Sequence, residues 1–481
     1  MNKLEKANKY IQENKDQVNN RPIYHFSPEI GWMNDPNGFI YYKGRYHLFY
    51  QYNPYDVVWD NMHWGHATTT DFVQWEYLPI ALANDRWYDA NGCFSGSAIE
   101  KDGKLYLMYT GHVDPNLGFD RIESEIFERQ CIAVSKDGVN FDKIKENPVI
   151  DEKILPEGYC ICDFRDPKVF EKDGKYYAVL AVRNKQRRGE IILFSSDDLL
   201  TWEFHSSIYQ SKDEENILLE CPDIFSIDGK DVLLFSVMPC DPIYANEIQN
   251  HTAYLIGKLD LEKGKFFVEQ KGLLDYGRAF YAPQSTTGKH GERLLIGWMH
   301  KWHQKNPPKS YGFNGMMSLP RQLTIENGRF IQKPAIDLHS FFSEKKNQKN
   351  IRMYAGKEWS IENIAGYLKI NVDRKKSFTV QCFKKSDHGI QFEWDGCNGN
   401  LIVSSSYGDK ETIQIEIDDE NNDFITFEWF IDRHSIELFI NGGQKVASFI
   451  AYEEDKGRQT AISVKEDTTI ETVEYREFIF K

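Results

Sequence analysis

One plan recurs five times along this 481-residue chain, and that repetition restricts the fold more than any other feature. The copies read DPNGFIYYKGRYHLFYQ from Asp35, FSGSAIEKDGKLYLMYTG from Phe94, DPKVFEKDGKYYAVLAV from Asp166, CPDIFSIDGKDVLLFSV from Cys221 and YAPQSTTGKHGERLLIGWM from Tyr281. Each has a small or acidic entry, a short strand, a glycine turn and an apolar strand, which together sign a hairpin. The turn glycines are Gly44, Gly103, Gly174, Gly229 and Gly291, spaced about 55 to 71 residues apart. A second motif lies between the first copies: TTDFVQWEYL from Thr69, SKDGVNFDKI from Ser135 and SSDDLLTWEF from Ser195. It adds further strand-like sequence, so each unit should hold about four strands. Five such units predict a five-bladed β-propeller, because radial repetition is one way to protect sheet edges.

The rest of the chain reads differently. Residues 1–23 are charged and suit a surface helix or arm, and residues 24–330 carry the repeats. Polar sequence over 331–350 resembles a linker, and 351–481 alternates in short strands such as FTVQCF, GIQFEW and ITFEWFID, the pattern of a β-sandwich. The expected fold class is therefore all-β, a propeller followed by a sandwich. Lys and Arg number 58 against 73 Asp and Glu, a net charge of −15 that repels a phosphate backbone and argues against nucleic acid. No apolar run reaches the ~20 residues of a membrane span, and the N-terminus lacks the apolar core of a secretory signal. Eight cysteines without a disulfide-like spacing complete the expectation of a cytoplasmic protein with reduced thiols.

Register turns the repeat into chemistry. Residues at the start of each unit's inner strand should ring one axis, and Asp35, Asp166 and Glu220 lie within about a residue of that point in units one, three and four. An isolated Asp-Pro is ordinarily a turn, but three acids in register would meet at one mouth of the channel. Cleaving a glycosidic bond needs one carboxylate beside the cationic sugar carbon and a protonated carboxyl to release the leaving oxygen. Crowding separates their proton affinities. Trp32, Trp59, Trp64, Trp87 and Trp298 are available as walls for sugar faces.

WMNDPNG (Trp32 to Gly38), FSGSA (Phe94 to Ala98), RDP (Arg165 to Pro167) and ECP (Glu220 to Pro222) closely resemble, in order, the signature segments of glycoside hydrolase family 32, the invertase and fructanase family. WDNMHWGHATTTDFVQW, FYAPQS, GWM, SLPRQL and the C-terminal FIDRHSIELFINGG are similar to further family segments. The resemblance implies that Asp35 is the nucleophile, Glu220 the acid and then base, and Asp166 the group that holds fructose hydroxyls, with Arg165 beside it. It implies that Asn34, Gln51, Trp59, Phe94 and Ser95 line the fructose pocket, that configuration is retained, and that neither metal nor cofactor is required. Retention would set the two reacting carboxyls about 5–5.5 Å apart. Two departures stand near the expected rim: Arg278-Ala279 precedes Phe280 where bacterial relatives commonly carry Asp, and Phe313 stands where many have Trp.

The expected reaction is hydrolysis of the terminal β-fructofuranosyl bond of sucrose 6-phosphate, sucrose or short fructo-oligosaccharides. A fructosyltransferase and a non-catalytic sugar-binding propeller are the alternatives. The partner is a small sugar, and the chain is a monomer or homodimer. Arg278 and Trp298 are candidate contacts for phosphate or for specificity, with Lys301, His303, Lys305 and Lys309 nearby in sequence. His63 and His66 lack a third metal ligand, Cys160 and Cys162 lack a second cysteine pair, and Cys221 has no histidine base beside it.

Overall fold

Two consecutive residues in the left-handed region make each of the first four hairpin turns: Lys43-Gly44, Asp102-Gly103, Asp173-Gly174 and Asp228-Gly229. That is the type I′ geometry, whose twist matches the strands it joins. The computed structural model describes all residues except 117–121, 213–216, 240–249, 363–364, 387, 408–411, 418–421, 453–456 and 480–481. Among the described residues the hairpins belong to five sheets, each built on four antiparallel strands, the first on Gly31–Tyr42, Arg45–Asn53, His63–Thr69 and Trp75–Leu82. The inner strands of the next four are Gly92–Lys101, Tyr159–Lys172, Ile217–Ile227 and Tyr281–Thr287. Among the described residues each inner strand neighbours the next, and the fifth returns to the first, so these five sheets close a ring.

The second motif proves to be the corner between the third and fourth strands of blades one to three. Asp71, Asp137 and Asp198 each accept two backbone N–H bonds of the corner at 2.7 to 2.9 Å, while Thr69, Ser135 and Ser196 accept a third. These are local side-chain caps that satisfy a turn's orphan donors. Between blades lie apolar layers such as Val179, Ile191 and Leu193 against Leu219, Leu233 and Phe235, all buried. Each such side chain contributes about 1.5–3 kcal/mol on burial.

A long excursion separates the second and third strands of blade five. Within it, Phe313–Asn314 pairs in parallel with the inner strand of blade one, Gly31 facing Phe313 and Trp32 facing Asn314. This two-residue strand bridges the last blade to the first. The N-terminal helix, Lys3–Asn14, starts with a capping box between Asn2 and Glu5 and buries Ala7 and Ile11 beside the outer strand of blade one.

The described residues after Pro334 form two packed six-stranded sheets with Leu368, Ile370, Phe427 and Trp429 facing Val380, Phe392 and Trp394. The first strand, Lys346–Met353, starts inside the stretch that sequence suggested as linker. It is a sheet edge, where exposed lysines protect unpaired backbone, so its composition resembles a loop. A buried ionic network joins sandwich to propeller. Asp432 accepts the N–H groups of Ile23, Tyr24 and His25 at 2.7 to 3.0 Å. The His25 ring spans Asp432 and Glu437 at 2.9 and 3.0 Å, and Arg321 bonds Asp275 and Glu437 at 2.9 and 2.7 Å.

Candidate active site

Every inner strand breaks register at its entry to the channel mouth: between Met33 and Pro36, Phe94 and Gly96, Arg165 and Lys168, Glu220 and Asp223, and Tyr281 and Gln284. Bulges of this kind re-aim side chains and tolerate proline, which has no N–H for the ladder. Counted from those prolines, Asn34, Arg165, Glu220 and Tyr281 share one position, and Asp35, Asp166, Cys221 and Ala282 share the next. Phe94 and Ser95 take the two places in blade two. Asp166, Cys221 and Ala282 have φ of +62°, +49° and +48°, a strained conformation held in three blades at one level.

The two levels are bonded across blades. In one, Ser95 Oγ donates to Asp35 Oδ2 at 2.7 Å, and Cys221 N–H donates to Asp166 Oδ2 at 2.9 Å. The Cys221 thiol lies 3.6 Å from Asp35 Oδ2 and 3.5 Å from Asp166 Oδ2. In the other, Arg165 places Nε and Nη2 on Glu220 Oε1 at 3.1 and 2.8 Å, while the Tyr281 hydroxyl donates to Glu220 Oε2 at 2.7 Å. Trp32 fixes the Asn34 amide through a 2.8 Å bond, and Asn34 Nδ2 in turn donates to Asp35 Oδ1 at 3.1 Å.

Three carboxyls so close, Asp166 and Glu220 buried and Asp35 half-buried, cannot all ionise freely. Burial pushes Asp35 up to about 6, with bonds from Ser95 and Asn34 restraining the rise and the Glu220 charge adding to it. Burial also pushes Asp166 up, to about 8, against the pull of Arg165 and with the charges of Glu220 and Asp35 behind it. The cluster thus retains a proton near neutrality, shared as a unit.

The mouth opens into a cavity of about 400 Å³. Asp35, Asp166, Glu220, Arg165, Asn34, Gln51, Trp59, Phe94 and Ser95 all line it. Trp59 meets Phe94 edge to face at 5.8 Å, and Phe94 stacks on His112 at 4.0 Å, an aromatic wall suited to a sugar face. Trp302 forms part of the lining too, stacked on Trp32.

Other expected side chains lie elsewhere. Trp298 is fully buried behind Trp32 and Trp302, and Arg278 is outside the lining, its backbone N–H bonded to Ser448 O of the sandwich. Phe313 is buried in the bridging strand, and among the loop cations only His303 reaches the cavity. Trp64 is core, and Trp87 stands on the surface under the Arg129 guanidinium. His66 is buried against His47 at 3.0 Å. Seven cysteines are free thiols; Cys240 lies outside the described residues.

His112, Asp114, Glu128, Asp163 and Trp302 line the cavity without having been singled out in the sequence, and Tyr281 reaches Glu220 from blade five. The tyrosine had a signal, since it precedes Ala-Pro as Glu220 precedes Cys-Pro. Asp163 lies three residues before Asp166 on the inner strand of blade three, outside the repeated segment, and the others come from second and third strands or loops, where no repeat marks them.

Convergent carboxyls at the mouth of a propeller, beside an aromatic wall, match what cleavage of a glycosidic bond requires. Residues 25–334 match the glycosyl hydrolases family 32 N-terminal domain, and residues 339–477 match the family 32 C-terminal domain. The chain belongs to glycosyl hydrolase family 32. It is 34 % identical to a raffinose invertase of Escherichia coli over 92 % of this chain and 91 % of that protein. It is 35 % identical to a sucrose-6-phosphate hydrolase of Bacillus subtilis over 91 % and 90 %. A β-fructofuranosidase structure from Bombyx mori superposes with a TM-score of 0.86 at 32 % identity, covering 98 % of this chain and 97 % of that one. No helix among the described residues is long and apolar enough to cross a membrane.

Proposed function

We propose that this protein is a retaining β-fructofuranosidase that releases fructose from sucrose 6-phosphate, sucrose or short fructo-oligosaccharides, acting in the cytoplasm. The observation that carries the reading is the pairing across blades of two levels of residues that brings Asp35, Asp166 and Glu220 together. Asp35 attacks the anomeric carbon; Ser95 and Asn34 support its ionised form. Glu220 passes the proton to the leaving oxygen and then takes one from the water that hydrolyses the fructosyl-enzyme. Arg165 and Tyr281 hold that carboxyl in place, and Asp166, its N–H bonded to Thr110, receives fructose hydroxyls. The site should titrate as a bell, with an acid limb where the cluster loses its first proton and an alkaline limb where it loses the next.

Release of fructose and of glucose 6-phosphate or glucose tests the reading, with Asp35→Ala as the blank. Fructose formation by the wild type and a fall on the order of 10⁴-fold or more in the variant are expected. Full activity in the variant would remove Asp35 from the mechanism, and oligosaccharide as the main product at high sucrose would make the enzyme a transferase. A tenfold preference between sucrose 6-phosphate and sucrose in kcat/KM, about 1.4 kcal/mol in the transition state, decides the natural substrate.

A further inference from the structure

Arg165 holds more than Glu220. Its Nη1 reaches Glu128 Oε2 at 3.1 Å and Asp163 Oδ1 at 3.2 Å. Asp163 is claimed from its other side by Arg183, whose Nε lies 2.6 Å from Oδ2 while its Nη2 reaches Glu123 at 2.7 Å. Among the described residues, Glu128 has no second guanidinium. It is 2 % exposed, accepts Phe164 N–H at 2.8 Å on the oxygen that faces Arg165, and places its other oxygen 3.3 Å from His112 Nδ1. Among the described residues, Arg183 thus answers Asp163 and Arg165 answers Glu128, and no full cation remains for Asp35, Asp166 and Glu220.

We propose that Glu128 is a positioning residue for the reaction: by answering the charge of Arg165 it lets the catalytic carboxyls keep their shared proton. The inference rests on the β-fructofuranosidase reading. Without Glu128, the guanidinium charge falls on Glu220, which it bonds directly, and on Asp166, which it attracts, and the ionised forms gain. The groups facing Glu128 are Arg165, Asp163 and His112, with Glu220 and Asp166 beyond the guanidinium. Burial opposes the ionisation of Glu128, and Arg165 and His112 outweigh it, holding the carboxyl below its ordinary range. The counter-charge is therefore present throughout the working range.

The test is the pH profile of kcat/KM for sucrose and for sucrose 6-phosphate in wild type, Glu128→Gln, Glu128→Ser and Glu128→Asp, each checked for folding by circular dichroism. Glu128→Gln keeps an acceptor for Phe164 N–H, so a merely structural role leaves its profile in place. The proposal expects the alkaline limb to move down by about one pH unit or more in both neutral variants, with the KM of the better substrate within about twofold. Glu128→Asp should return the limb toward the wild type. A wild-type limb in either folded neutral variant, or a limb displaced as far in Glu128→Asp, would overturn it. If the wild type itself releases fructose from neither substrate, the β-fructofuranosidase reading fails instead.

Discussion

Replacing Tyr281 by phenylalanine perturbs the same proton in the opposite direction. The hydroxyl is buried, and its 2.7 Å bond to Glu220 Oε2 is the donor on that oxygen, because both Arg165 bonds go to Oε1. A hydrogen bond to a charged group is worth about 1.5–3 kcal/mol, and one pH unit corresponds to about 1.4 kcal/mol. The donor favours the ionised carboxyl, so its loss lets the cluster hold its proton longer. The alkaline limb of kcat/KM should rise by about 1 to 2 pH units. Phenylalanine fills the same space, so the blade-five bulge at Ala282-Pro283 stays packed. The assay is fructose release from sucrose between pH 4 and pH 10, both values chosen as roughly spanning the carboxyl and histidine ranges. An unmoved or lowered limb would show that the tyrosine does not act on the charged form, and the donor argument would fail.

Elsewhere the domain interface makes its own demands. Arg321→Met leaves Asp275 and Glu437 buried without their guanidinium and should cost about 3–5 kcal/mol in urea unfolding; a loss under about 1 kcal/mol would mean the network is incidental. Burial alone would lower the His25 value, but bonds to Asp432 and Glu437 outweigh it and raise it to about 9. Because the folded value lies above the ordinary 6.5, the stability His25 contributes is fully present below that pH and lost as pH rises through about 9. Thermal melts at pH 6 and pH 10 (values taken as roughly outside that window) should differ less in His25→Gln than in wild type.

The sequence exposed the elements that repeat and hid those that do not. Five hairpins were legible because each carries its own glycine turn, and three acids because each stands one or two residues before a proline at a bulge. Aromatic residues were poorer guides. Trp59 faces the cavity while Trp64, five residues later in sequence, is wholly buried, since strand alternation and the route of a loop decide which face a ring takes. Glu128 and Asp163 are marked by no repeat for a related reason: each takes its role from Arg165, which shares a strand with Asp163 and which blade packing brings against Glu128. Arg278 stands out in the sequence through its neighbour FYA; in the fold its backbone N–H bonds Ser448 O of the sandwich and it is not among the residues that line the cavity.

The two-residue strand Phe313–Asn314 gives assembly a fixed order. Its loop supplies Trp302 and His303 to the cavity before docking on the inner edge of blade one. A ribosome emits blade one first and this loop some 270 residues later. Through most of synthesis, the strand that bears Asp35 waits with that short stretch of edge unpaired. Closure of the ring and completion of the catalytic pocket are then one event, so a nascent chain acquires hydrolase activity abruptly rather than blade by blade.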